Sequence, residues 1–307
     1  MKSSEHISVL IEEVLESFKG CHLKVFYDGT LGAGGHAHEI LTQHPEIELY
    51  IGADRDESAL EMAKETLKPW KEKVVFVHGN FSDLDEHLKK LGVEGVDGFL
   101  FDLGVSSMQL DQEKRGFSFL KDGPLDMRMD RSESLTAQEI VNTWSEKHLG
   151  ELFRDLGEEP RWKKCASAVS KARRKKPLKT TLELATVIEE ELKTKLRGRL
   201  HPATLVFQAL RMRVNRELES IQAGVKKALE WLRIQGRIEV ISFHSFEDRM
   251  IKNLFREVSK PIKNMDVDQF RSVFEVLTKK PILPTPKETR KNTRSRSAKL
   301  RVVMRTQ

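Results

Sequence analysis

A strand-to-helix turn carrying four glycines within seven residues, Gly29 to Gly35, constrains this chain more than any other stretch. Ahead of it, Val25-Phe26-Tyr27 is an apolar run that ends a buried strand, and Asp28 begins the turn. Behind it, His36-Ala37-His38-Glu39-Ile40-Leu41 resumes a helical pattern. Strand, glycine turn and helix make the first crossover of a nucleotide-binding α/β domain. Glycine suits such a turn because backbone without a Cβ takes positive φ and lets a ligand come close. The spacing Gly32-Ala33-Gly34-Gly35 is not the Gly-x-Gly-x-x-Gly dinucleotide fingerprint, so a pyrophosphate is not implied.

Three further strands end in the same manner. Glu48 to Asp54 closes on an acid 20 residues after Gly34, where such folds hydrogen-bond ribose hydroxyls. Val74 to Val77 runs into His78-Gly79-Asn80-Phe81, and Val96 to Phe101 into Asp102-Leu103-Gly104. Any one strand ends readily in glycine or acid. Four in register define a rim at which ligands of open α/β sheets bind.

The 307 residues suffice for one large domain with an insertion, or for two domains. No apolar run approaches the ~20 residues needed to cross a bilayer, and no signal-peptide core follows Met1, so a cytoplasmic protein without membrane contact is expected. Cys21 and Cys165 have no metal spacing and read as reduced, packed thiols; His36-x-His38 alone does not predict a metal.

Ile7 to Phe18 is an amphipathic helix, and Ser58 to Leu67 and Ser82 to Leu91 are the second and third crossover helices. From Val105 to about Pro202 only helical patterns appear, with capping boxes Thr136-x-x-Glu139 and Thr180-x-x-Glu183. A long helical stretch, Thr204 to Leu232, then leads to a fifth strand, Arg237 to Phe243. Lys280 to Leu283 and Leu300 to Met304 are expected to form an antiparallel edge, and polar Arg290 to Ser297 a mobile loop. The pattern predicts an α/β fold with a Rossmann-like, mostly parallel sheet and an inserted helical domain. Its boundaries fall at 1–105, 106–203 and 204–307.

The insertion carries the charge. Pro160 to Thr181 holds nine Lys and Arg and no acid, and Lys287 to Arg305 holds eight against one. A charge run is commonly a solvated face, but two of them on a nucleotide-binding scaffold point to a phosphate backbone as partner. Arg173, Arg174, Lys175 and Lys176 are the densest part.

The segments DGTLGAGGH (28–36), DLGVSSMQLD (102–111), RGFSF (115–119), GPLDMRMD (123–130), HPAT (201–204), FQALR (207–211) and SFHSFEDR (242–249) follow in this order. Together they closely resemble the bacterial 16S ribosomal RNA (cytosine-N4)-methyltransferases. The resemblance runs from about His6 to the C-terminal strand, with local departures at Met108 and Glu159-Pro160-Arg161. It implies a class I methyltransferase sheet that uses S-adenosylmethionine to methylate the exocyclic amine of a cytidine in the decoding region of the small ribosomal subunit. Carried over by motif, the cofactor contacts fall on Gly34, Gly35, His36, Asp54, Phe81, Asp102 and Gln109, and Asn215 becomes a candidate for RNA contact. Monomer and homodimer are both compatible with the sequence.

Asp102 is the candidate catalytic group, placed to meet cofactor and base. This chain has Asp102-Leu103-Gly104-Val105 where many amino-methyltransferases have Asp/Asn-Pro-Pro-aromatic. Methylation at ring carbon C5 would need a cysteine nucleophile, and neither Cys21 nor Cys165 ends a strand, which favours nitrogen. After strand five, Ser245 followed by Glu247 and Asp248 reads as a helix N-cap, with a lesser prospect of catalysis by His244. Two other classes stand beside this reading. A nicotinamide-dependent oxidoreductase lacks its fingerprint here, and a non-enzymatic ribosome-assembly factor would bind cofactor without turnover.

Overall fold

The computed structural model describes residues 8–193, 201–260 and 272–307; Ile7, expected in the first helix, and His6 lie outside them. The chain divides into two compact units, Met1–Gly104 with Leu218–Gln307, and Val105–Glu217. In chain order the first part holds α1 (Ile11–Phe18), β1 (Val25–Asp28), α2 (Gly35–Gln43), β2 (Leu49–Asp54), α3 (Glu57–Thr66), β3 (Val74–His78), α4 (Leu84–Lys90) and β4 (Val96–Asp102). Six helices follow: α5 (Ser107–Asp111), α6 (Ala137–Thr143), α7 (Glu146–Asp155), α8 (Trp162–Lys175), α9 (Thr181–Leu192) and α10 (Thr204–Val214). The chain then closes through α11 (Glu217–Trp231), β5 (Leu232–Ser242), α12 (Ser245–Val258), β6 (Phe274–Val276), α13 (Pro286–Lys291) and β7 (Lys299–Arg305).

The first unit is one seven-stranded sheet in the order β3-β2-β1-β4-β5-β7-β6. Strands β1 to β5 pair in parallel, with Tyr27 opposite Ile51 on one side and Phe99 on the other. β7 lies antiparallel to β5, and β6 antiparallel to β7, which is the expected C-terminal edge. Both faces are covered, which is why the strands read as unbroken apolar runs. Phe26, Tyr50, Leu100 and Ile241 pack with Val14 and Phe18 of α1, Ile40 of α2 and Leu60 of α3. Tyr27, Ile51, Phe99, Phe101 and Val240 pack with Leu88 of α4, Val225 of α11 and Leu254 of α12. The chain leaves β1 for β2 and β3, then returns to place β4 on the other side of β1. Such a reversal opens a ligand crevice at the carboxyl ends of the strands.

The second unit has a core of its own, built from Ile140, Phe153, Val169, Leu184 and Phe207 on α6 to α10. Phe117, Leu125, Met127 and Met129 of the long connecting stretch are buried in that core. An isolated bridge, Pro124 to Thr180, pins the stretch further. Thr180 forms the full capping box with Glu183, and Thr136 accepts the Glu139 N–H.

Four expectations need correction. The helical stretch from Thr204 is two helices, because Asn215 ends α10 and Arg216 turns with φ 47°. The helical unit accordingly extends to Glu217, with α10 inside it. At the sheet edge, Lys280 to Leu283 contributes one bridge, Ile282 to Leu300, and the edge strand is β6. Pro281 and Pro284 lack the N–H that a ladder needs. Arg290 to Ser297 is no loose loop. It comprises the end of α13, capped by Thr285, and a 3₁₀ turn whose Ser295 is fully buried.

Candidate active site

The glycine turn is tied to its neighbours through backbone bonds. Gly29 N–H donates to Leu100 O at 2.9 Å and Leu31 N–H to Ala53 O at 3.0 Å, so the turn bridges the ends of β4 and β2. Asp28, buried beneath it, accepts from Thr30 N–H at 3.0 Å and from the Tyr50 hydroxyl at 3.1 Å; burial pushes its carboxyl up to about 6. Gly34 caps α2 with φ 84°, a conformation that a side chain resists. A Cβ on Gly35 would collide with Ser8 Oγ, so the turn packs tightly there.

Asp54, at the end of β2, holds the loop shape on both of its oxygens. One accepts Gly32 N–H at 2.8 Å and the other Asp56 N–H at 2.9 Å. Burial raises its pKa above the usual carboxylate range. Each oxygen keeps a second lone pair, so the group retains capacity for a ligand diol. Phe81 follows β3 in a 3₁₀ turn, its ring 5.2 Å from that of Phe101. A Cβ on Gly29 would meet Phe101 at 2.6 Å and Phe81 Cβ at 2.9 Å, which places Phe81 directly beside the glycine turn.

Asp102 completes the rim. Its N–H donates to Thr30 Oγ1 at 2.6 Å, and its Oδ2 lies 3.8 Å from His36 Nδ1. Oδ1 is buried and has no hydrogen-bond partner among the described residues. Burial, then the neighbouring Glu247 carboxylate, pushes the Asp102 carboxyl up to about 7. His36 Nε2 bonds Val9 O at 2.9 Å, an acceptor, so that nitrogen carries the hydrogen and Nδ1 faces Asp102 with a lone pair. Burial lowers the His36 pKa and keeps the ring neutral. Glu247, fully buried, accepts the N–H groups of Phe243 at 2.8 Å and His244 at 3.1 Å. His244, not Ser245, is thus the N-cap of α12.

Gly34, Gly35, His36, Asp54, Phe81 and Asp102 therefore gather at the carboxyl ends of β1, β2, β3 and β4. The remaining candidates lie in the second unit. Gln109 is buried there and exchanges hydrogen bonds with Ser106. Asn215, expected to touch RNA, is buried: its Nδ2 donates to Met127 O and Arg211 O, and its Oδ1 accepts Met129 N–H. It clamps the GPLDMRMD stretch, where Met127 takes φ 62°. Of the basic run, Arg173 donates to Val141 O at 2.8 Å and Lys176 pairs with Glu183 at 2.7 Å, while Arg174 and Lys175 are exposed.

On sequence alone, no site role falls to Asp28, the start of the turn, to Glu247, an acid behind the helix cap, or to Thr30. Asp28 lies inside the glycine motif, and Glu247 three residues after the cap, so the cue for both was proximity to a motif. No group of three or more His, Cys, Asp or Glu among the described residues could hold a metal ion.

The residues present fit S-adenosylmethionine: glycines open a backbone approach, Asp54 has free lone pairs, Phe81 stands half-buried beside the glycine turn, and Asp102 Oδ1 is an unanswered acceptor. Strand order, the antiparallel β7 and this rim define a class I methyltransferase domain. The chain belongs to the MraW methylase family, which it matches over residues 3–306. Among its relatives is the ribosomal RNA small subunit methyltransferase H of Protochlamydia amoebophila, 49% identical across 97% of this chain and 96% of that protein. The protein of the same name from Persephonella marina is 46% identical across 98% and 99%. That from Geobacter sp. is 46% identical across 99% of each.

Proposed function

We propose that this chain methylates the exocyclic N4 amine of a cytidine in small-subunit ribosomal RNA, in the decoding region, with S-adenosylmethionine as donor. The observation that carries this reading is a family match over nearly the whole chain, joined to a rim that ends in a half-buried carboxylate whose Oδ1 has no hydrogen-bond partner among the described residues. When bound, the cofactor supplies the methyl group and a positive charge on sulfur that is lost on transfer.

Asp54 binds the ribose diol and Phe81 packs on the adenine. Gly34 and Gly35 admit the methionine part, beside His36. Gln109 is proposed as a further cofactor contact. The cytosine amine is a weak nucleophile because its lone pair is delocalised into the ring, so it must be held in line and its proton accepted. Asp102 is the proton acceptor: with a pKa near 7 it is matched to the task at neutral pH. Cys165 does not serve as a C5 nucleophile, since it is buried in the second unit and burial pushes its thiol up to about 12.

The helical unit is the RNA-recognition part. On α8, Lys164, Lys171 and Lys175 are exposed and fall within an arc of about 40° around the axis, a row about 16 Å long. With Lys163 and Arg174 it makes a face suited to phosphates. No described helix is long and apolar enough to cross a membrane, and a ribosomal substrate sets the reaction in the cytoplasm. Mass spectrometry of nucleosides from small-subunit RNA, with and without the protein, tests the whole reading. N4-methylcytidine should disappear with the protein and return with it; an unchanged nucleoside profile overturns the proposal.

A further inference from the structure

Three carboxyl groups converge on the rim of the first unit. Asp28 lies under the turn after β1, Asp102 ends β4, and Glu247 stands in the first turn of α12. Asp28 and Asp102 oppose each other's ionisation, as do Glu247 and Asp102. The basic group facing Asp102 is His36 of α2, held neutral, with Glu288 of α13 acting on His36 in turn. Among the described residues no Lys or Arg forms an ion pair with Asp102. A carboxylate in that setting lacks a counter-charge until a ligand brings one.

We propose that Asp102 follows the charge of its ligand: it is a carboxylate beside the sulfonium of S-adenosylmethionine and a carboxylic acid beside the neutral thioether of S-adenosylhomocysteine. This rests on the reading that Asp102 faces the cofactor. A cationic ligand therefore displaces a proton on binding, and the neutral product does not. The chemistry balances. The amine nitrogen forms a bond to carbon as the sulfur–carbon bond breaks, the nitrogen sheds one proton, and Asp102 takes it. Carboxylate plus sulfonium becomes acid plus thioether, so the net charge of the buried site does not change during transfer. In a site of low polarizability, a step that creates no net charge avoids a desolvation cost.

The test is calorimetric titration of the full chain at pH 6.5 in two buffers of different ionisation enthalpy. The ligands are S-adenosylmethionine, S-adenosylhomocysteine and sinefungin, an unreactive analogue with an ammonium in place of the sulfonium. All three carry the amino-acid ammonium, so its effect cancels in the comparison. With Asp102 titrating at about 7, the two charged ligands should release up to about 0.75 proton per site, and the thioether should release none and take up at most about 0.25. Asp102→Asn should abolish the difference. Where that variant binds too weakly, Glu247→Gln keeps the acceptor for the α12 N-cap but removes a negative charge, and should reduce the release. Equal release with the methionine and homocysteine forms, or no release with any ligand, overturns the inference while the methyltransferase reading stands. Failure of S-adenosylmethionine to bind at all overturns both.

Discussion

Asp54 and Asp102 end the two strands that flank β1, and their surroundings set them different work. Asp54 already organises two backbone N–H groups, so Asp54→Ala should act twice. It should weaken S-adenosylmethionine by about 1.5–3 kcal/mol, and it should lower stability because Gly32 and Asp56 lose their acceptor. Asp54→Asn retains an oxygen for one of those donors. Calorimetry beside chemical denaturation of both variants separates the two effects, and unchanged affinity in both would remove Asp54 from the site. Asp102 organises little, and its Oδ1 waits for a partner. Asp102→Asn should cut single-turnover methyl transfer by roughly 10²–10⁴ while leaving the fold intact. Its pH behaviour has a definite sign. A carboxyl raised to about 7 is protonated below that pH and basic above it, so kcat/KM for the cofactor should rise with pH and level off above about 7. The Asn variant should show no such limb; a wild-type profile that is flat from pH 5 to 8 would exclude Asp102 as the base.

At the scale of elements, α8 and the clamped stretch 123–130 show what a run of residues does and does not reveal. Counting charges groups Arg173 and Lys176 with their neighbours, but Arg173 satisfies the Val141 carbonyl near the end of α6 and Lys176 supports the α9 capping box. The solvated row is Lys164, Lys171 and Lys175. Replacing these three by Ala should flatten the salt dependence of RNA binding by about two to three in log–log slope, with cofactor affinity unchanged. If the slope holds, the row is only a solvated face. The sheet was legible because strands buried on both faces announce themselves as apolar runs, and the glycine turn because few backbones other than a ligand turn use it. Asn215 was not, because an Asn that clamps buried backbone has the same composition as one that contacts RNA. Its partners, Met127 and Met129, lie more than eighty residues earlier in the chain. β6 escaped notice since three residues carry almost no period, and α13 because its stability comes from a cap and from the Glu288 carboxylate receiving Leu10 N–H.

Across the whole molecule, buried acids tie stability to pH. Glu239, in the middle of β5, is fully buried beside Ser17 and Arg237, and burial raises its pKa well above the usual carboxylate value. A carboxyl raised on folding contributes its full stability below its unfolded pKa of about 4.5 and loses it progressively as pH rises toward the folded value. Glu239→Gln should therefore show a shallower decline in denaturation midpoint between pH 6 and 9 than the parent; parallel declines would mean that Glu239 is already ionised in the folded state at pH 6 and that burial does not raise its pKa. The division of the chain also sets an order of events. β4 ends at Asp102, and its partner β5 begins only at Leu232, after the entire stretch Val105–Glu217. During synthesis at about 5–20 residues per second, the β4 edge therefore stays unpaired for on the order of ten seconds. The helical unit, with all of its core contiguous in sequence, can complete itself in that interval. Ribosome-bound chains with about 225 residues emerged, past Glu217 but short of β5, should resist protease within 105–217 while residues 1–104 are still cut; equal sensitivity of both stretches would count against that order. The late arrival of β5 means that the methyl-donor site, although its rim residues all come from the first 104, waits for β5 to cover the β4 edge and for α12 to bring Glu247 beside Asp102, and so is among the final features of the molecule to exist.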